Sequence, residues 1–290
     1  MQTTQTEPDY EAMRRLSADI RIETIKGLAK AGFGHIGGSA SIADVLAVLY
    51  GGAMAIRPDD PAWPERDYLV LSKGHCGPAL YAALALKGFF PMEWLGTINQ
   101  PGTRLPSHAD RRRTPGIDMT TGSLGQGISA ATGIALGNKL KGLPNFTYCI
   151  VGDGELNEGQ IWEAAQAAAN FRLNNLILFV DWNKKQLDGT LEEINTPQDI
   201  DRKFEAFGFS VQIVNGFDVE AIWQAIQLAK KEEAPSAIVL DTWKGLGVSF
   251  AEKVAFNHYM FIDDEMAKEG VQEIEKRYQE GTYPRSDVKW

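Results

Sequence analysis

The sequence predicts an α/β fold in which a parallel sheet carries helices on both faces. Three observations predict it. Short apolar runs recur at residues 67–71, 146–151, 176–181, 210–214 and 236–241. Segments with helical spacing of apolar residues separate most of them. Runs without polar alternation suit strands buried on both faces, as in a parallel sheet. Two of the runs also end in turns bearing Asp153 and Asn183, and the carboxyl edge of such a sheet is where open α/β folds bind ligands.

In chain order, residues 9–31 predict a helix, with Ile20, Thr24 and Leu28 at spacing four and Ile25 beside them. The glycine-rich stretch 32–38 ends it, and Ser39 is expected to cap a helix starting near Ile42. Residues 40–56 form the most apolar window, interrupted by Asp44 and by Gly51-Gly52. It is too short to span a bilayer and reads as a buried helix. A strand at 67–71 and a helix at 77–87 follow. Residues 91–118 are proline-rich and carry Arg111-Arg112-Arg113, which suggests a long surface loop, a common place for function. The arginine triplet reads as a solvated face, with a sugar-phosphate contact as the alternative. Then come helix 125–141, strand 146–151, helix 158–170, strand 176–181, helix 196–207, strand 210–214, helix 219–231, strand 236–241 and helix 263–278. Trp162 and Trp182 read as core or interface aromatics. No repeat or linker divides the chain, so residues 1–290 are expected to form a single domain.

Composition narrows the function. The chain has 290 residues, 44% hydrophobic and 23% charged, with a net charge of −9. That describes a globular protein and argues against a broad nucleic-acid or anionic-membrane surface. The polar N-terminus suggests no targeting segment. Cys76 and Cys149 are the two cysteines; they cannot build a disulfide framework, and a cytoplasmic protein with reduced thiols is expected.

The stretch Gly32-Phe33-Gly34-His35-Ile36-Gly37 has the spacing of a dinucleotide fingerprint, but a helix precedes it where a strand is needed. As a P-loop it lacks the lysine, because Gly38 stands there. It reads as a loop whose glycines let backbone approach a ligand while His35 faces a site. The stronger unit is strand, Gly152-Asp153-Gly154, helix, strand and Asn183. Two glycines and a following helix start favour an anion. Asp153, the Asn183 amide oxygen and the Lys185 carbonyl make a hard oxygen set of the kind Mg²⁺ takes, completed by phosphate oxygens and water. No Cys/His cluster suggests zinc.

This unit resembles the signature of thiamine-diphosphate enzymes. Further segments narrow the resemblance to the transketolase family: Leu71-Ser72-Lys73-Gly74-His75, Thr121-Gly122-Ser123-Leu124-Gly125-Gln126-Gly127, Gly34-His35-Ile36-Gly37-Gly38-Ser39, and Pro106-Ser107-His108-Ala109-Asp110. It covers about residues 18–258 and implies the diphosphate-binding domain of that family. The resemblance implies that Asp153, Asn183 and Lys185 bind Mg²⁺, or Ca²⁺ or Mn²⁺ in its place. It implies that Lys73, His75, Gly122, Ser123, Leu124, Gly152, Asp153, Gly154, Glu155, Asn183 and Lys244 contact thiamine diphosphate. His35, His75, His108 and His258 would surround the reacting centre; these are all four histidines of the chain. Glu158 and Glu163 match acids at the family's subunit interface that are linked to cofactor activation, so the resemblance implies a catalytic role for both. The family's Trp-His-Gly context is Asn257-His258-Tyr259 here.

The activity so implied is transfer of a two-carbon ketol unit from a ketose or ketose phosphate to an aldose. The family's pyrimidine-binding domain, with its essential Glu, is expected on a second chain. The expectation is the N-terminal subunit of a split transketolase, in an α₂β₂ assembly with a C-terminal subunit. The alternatives are the α-subunit of a 2-oxoacid dehydrogenase, a relative of deoxyxylulose-phosphate synthase, or a non-catalytic scaffold.

Overall fold

The computed structural model describes residues 7–284. Helix α1 (Tyr10–Ala31) begins where the Asp9 side chain accepts from the Ala12 amide and ends at Gly32, whose φ of 82° suits a residue without a Cβ. Then follow β1 (Phe33–Gly34), α2 (Gly37–Ser41), α3 (Ala43–Val48), β2 (Tyr68–Leu71), α4 (Gly77–Leu86), α5 (Gln126–Leu140), β3 (Thr147–Gly152), α6 (Gly159–Asn170) and β4 (Leu176–Trp182). The remainder is α7 (Leu191–Ile194), α8 (Ile200–Ala206), β5 (Ser210–Asn215), α9 (Val219–Ala229), β6 (Ser236–Asp241), α10 (Ser249–Glu252), β7 (Met260–Phe261) and α11 (Asp264–Gln279). Among the described residues no helix is long and apolar enough to cross a membrane.

Five strands form a parallel sheet in the order β2-β3-β4-β6-β5. Successive side chains in a strand point to opposite faces, and the two cores obey this. Leu69, Leu71, Tyr148, Ile150, Ile177, Phe179, Ile238 and Leu240 pack with buried residues of α1, α3, α4 and α9. Val70, Cys149, Val151, Leu178, Val180, Ala237 and Val239 pack with those of α5, α6 and α8. Every residue of β3 is buried, whereas β5, at the edge, is half-exposed.

One local expectation is corrected. Ser39 does not cap a helix. It lies buried inside α2, and its hydroxyl donates to the His35 carbonyl (2.6 Å), because the helical turn already starts at Gly37. Residues 91–118 form the long irregular loop expected, with one helical turn at Met92–Thr97, and Leu95, Ile98, Leu105, Ala109 and Ile117 anchor it in the core. Gly27 of α1 admits this segment closely: a Cβ there would lie 2.8 Å from Ile98 Cδ1. A second, two-stranded antiparallel sheet pairs β1 with β7, setting Phe33 opposite Phe261; two-residue strands leave no periodic signal.

Candidate functional site

Strand register builds the site. Gly152 of β3 pairs with Asp181 of β4, so the turns that follow leave the sheet side by side and carry Asp153 and Asn183. Both residues are buried. Asp153 accepts from the Gly154 amide (2.7 Å) and the Lys184 amide (2.6 Å). Lys184 has φ 67°, an uncommon left-handed turn for a lysine. The Asn183 amide nitrogen donates to Asp181 Oδ2 (2.6 Å), and Asn183 Oδ1 accepts from the Lys185 amide (3.2 Å).

Two buried lysines flank these oxygens. Lys73 donates to Asp181 Oδ2 and to the Gly38 carbonyl (3.2 Å). Burial opposes its charge, but the surrounding acidic groups, Asp181 foremost, together outweigh burial and hold Lys73 protonated. Lys244 lies 3.4 Å from the Lys185 carbonyl, 3.3 Å from the Gln186 carbonyl and 3.1 Å from His258 Nδ1. Burial brings it down to about 8. Burial, reinforced by the Asp181 charge, lifts Asp153 to about 7. A carboxylate so placed gains from a cation.

The four histidines converge. His35 lies 5.2 Å from His75, 5.6 Å from His108 and 5.2 Å from His258, and His75 lies 4.6 Å from His258, centroid to centroid. The β1–β7 pairing holds the His35 and His258 loops together. Asn257 adds to it: its carbonyl accepts from the Gly37 amide (3.0 Å), and its side chain donates to the Lys244 (2.8 Å) and Ala251 (2.9 Å) carbonyls. The altered context of His258 therefore braces its loop.

Burial, with the charges of His108 and Lys244, depresses His35 to about 4. Burial and Lys244 depress His258 to about 3. His75 is lowered by burial and Lys73, and His108 by burial. All four are neutral near pH 7. Between the unfolded value of about 6.5 and the lower folded value, the unfolded chain binds protons that the native chain does not. The contribution of these histidines to stability is therefore complete above about pH 6.5 and is lost as pH falls toward the folded values. Between pH 6.5 and 4, His35→Gln is expected to lose less stability than the parent, as read by urea midpoints across pH. Parallel curves would contradict the shift.

Glu155 is a brace. Its carboxylate accepts from Ser72 Oγ, the Gly125 amide (2.8 Å) and the Gly152 amide (3.0 Å), tying three loops together.

These groups line one cavity of about 370 Å³. It collects His35, Lys73, His75, His108, Gly122, Leu124, Gly152, Asp153, Gly154, Glu155, Glu158, Asn183, Lys185, Lys244 and His258, and adds Gly38, Asn157, Gln186 and Leu187. Ser123 and Glu163 lie outside its lining and are exposed. Sequence reasoning missed Gln186, whose buried Nε2 has no hydrogen-bond partner, and Asp181, whose signal was a carboxylate closing an otherwise apolar strand.

The donor set suits a hard cation and no softer one. Among the described residues no three His, Cys, Asp or Glu side chains group to hold a metal. The oxygens of Asp153, Asn183 and the Lys185 carbonyl remain a fit for a hard cation that takes its other ligands from phosphate and water.

The fold and the cavity define a cofactor-binding α/β domain whose site lies at the carboxyl edge of its sheet. Residues 12–278 match the family model "Transketolase, thiamine diphosphate binding domain". The chain is 55% identical over 258 residues to the 6-deoxy-6-sulfo-D-fructose transketolase subunit SqwG of Clostridium sp. (strain MSTE9), covering 89% of this chain and 94% of that protein. It is 37% identical over 270 residues to one subunit of the apulose-4-phosphate transketolase of Phocaeicola vulgatus, covering 92% of this chain and 95% of that one. The crystal structure of Campylobacter jejuni transketolase superposes with a TM-score of 0.84 at 30% identity, over 93% of this chain and 46% of that one. The chain belongs to the transketolase thiamine-diphosphate-binding domain family. It spans about half the length of the solved transketolase, but nearly all of the two relatives named as subunits.

Proposed function

We propose that this chain is the N-terminal subunit of a split transketolase, carrying a two-carbon ketol unit from a ketose to an aldose with thiamine diphosphate and Mg²⁺. One observation carries the reading: all four histidines converge on a cavity that also holds Asp153, Asn183 and three lysines. Asp153, Asn183 and the Lys185 carbonyl would hold Mg²⁺, or Ca²⁺ or Mn²⁺ in its place. Lys73 and Lys244 would balance the diphosphate, with His75, Gly122, Leu124, Gly152 and Gly154 beside it. Glu155 acts by bracing this wall. When bound, thiamine diphosphate supplies a carbon nucleophile and an electron sink. The neutral imidazoles of His35, His75, His108 and His258 each offer one donor and one acceptor, so they can hold sugar hydroxyls and pass protons between them.

The partner would be a C-terminal subunit with the pyrimidine-binding domain, in an α₂β₂ assembly in the cytoplasm. Exposed Glu158 and Glu163 suit contact with another chain. So do Leu187, Phe256, Tyr259 and Phe261, which are 58%, 70%, 46% and 81% exposed; Leu187 lines the cavity, and Tyr259 packs on His35. The cytoplasmic reading is supported by two buried free thiols.

The donor we favour is 6-deoxy-6-sulfo-D-fructose, on the strength of the 55% identical relative. With the partner co-expressed and glyceraldehyde 3-phosphate as acceptor, kcat/KM for the sulfonated ketose should exceed that for fructose 6-phosphate by about tenfold or more. Equal or reversed values would reject this donor.

A further inference from the structure

Asp181 belongs to none of the roles above. It is the penultimate residue of β4 and fully buried. Its Oδ2 accepts from Lys73 Nζ, Asn183 Nδ2 (2.6 Å) and Ser41 Oγ (2.7 Å), while its Oδ1 has no hydrogen-bond partner. A buried carboxylate is costly unless paired, and a bare oxygen on one asks for a reason.

We propose that Asp181 is a positioning residue that sets the amide orientation of Asn183 and the place of the Lys73 ammonium together. The inference rests on the cofactor and metal roles proposed above. An asparagine amide presents an acceptor on one side and a donor on the other, with nearly the same shape, so its hydrogen bonds decide which way it faces. A carboxylate only accepts. Facing Asp181, Asn183 must present its NH₂, and its oxygen then turns away, to the side of the Lys185 amide at the sheet edge. Without Asp181 only the long bond from the Lys185 amide (3.2 Å) opposes the NH₂ facing the cation.

The same oxygen anchors Lys73. The surroundings leave the lysine little freedom: a Cβ on Gly38 would lie 3.4 Å from its Nζ and 2.7 Å from Cys76 Sγ. Outer partners of this kind commonly change metal affinity by about 10–100-fold.

The test uses the two-chain enzyme with thiamine diphosphate and reads free Mn²⁺ by electron paramagnetic resonance. Asp181→Ala removes the acceptor, and its fold is checked by circular dichroism. It should bind Mn²⁺ about 10–100-fold more weakly. Asp181→Asn, whose amide oxygen can take the place of Oδ2 and accept the same three bonds, should stay within about threefold of the parent. A role through negative charge alone would weaken both variants alike. Parent-like Mn²⁺ binding by Asp181→Ala, or a folded Asp181→Asn that binds as weakly as Asp181→Ala, overturns the proposal. If Asp181→Ala does not fold, Asp181→Asn decides alone, by keeping or losing parent-like binding. If the parent enzyme binds no Mn²⁺ with the cofactor, the proposed function itself fails and this inference falls with it.

Discussion

Asp153→Ala is expected to remove Mg²⁺-dependent binding of thiamine diphosphate while leaving the fold in place. Asp153 is the one carboxylate in the proposed oxygen set, and it is 1% exposed. Loss of an outer partner costs about 10–100-fold in metal affinity, so loss of the ligand itself should exceed about 100-fold. Two effects on stability oppose each other. The Gly154 and Lys184 amides lose their acceptor, a cost of about 1–3 kcal/mol per buried group. Removing the carboxylate also relieves its burial and its repulsion from Asp181. The net change should be within about 2 kcal/mol. Calorimetric titration of the cofactor with and without Mg²⁺ measures the first effect and a urea midpoint the second. Unchanged affinity would contradict the ligand assignment.

The sheet was legible because four of its five strands are buried on both faces, the edge strand β5 being half-exposed. The run expected at 236–241 is β6 itself, and the other four are displaced by a residue or so at an end. What failed was local. Ser39 has the chemistry of a cap, but a capping residue must sit where the helix starts, and α2 starts at Gly37. The proline-rich stretch 91–118 is the irregular loop expected, but its anchoring in the core was not legible because its apolar residues follow no period; Ile98 and Leu105 are buried without exposure.

The site was legible where its chemistry sits in short sequence motifs. The Gly152-Asp153-Gly154 turn, Asn183 and the histidine loops stand out in the sequence and share one cavity. Residues that hold those groups were not legible. Asp181 looks like the polar end of a strand, and only the register opposite Gly152 places it under Asn183 and Lys73. Asn257 reads in the sequence as a mere departure from a familiar context, yet it ties the His258 loop to Gly37, Lys244 and Ala251.

The other large effect concerns the partner. The family resemblance places the glutamate that drives cofactor ionisation on a pyrimidine-binding domain, and this chain covers 46% of the solved Campylobacter transketolase. General acid–base groups contribute about 10²–10⁴-fold each, so on the split-subunit reading proposed above turnover without the partner should fall to background. The side chains rimming the histidines also need covering: Phe256 and Phe261 are 70% and 81% exposed, and transfer chemistry gains from exclusion of water.

The most direct measurement is two-carbon transfer from a ketose donor to glyceraldehyde 3-phosphate by the purified chain with Mg²⁺ and thiamine diphosphate, alone and after addition of the C-terminal subunit. The account predicts background rates for the chain alone and a gain of at least about 10³-fold with the partner. Normal enzymatic turnover by the chain alone would contradict it.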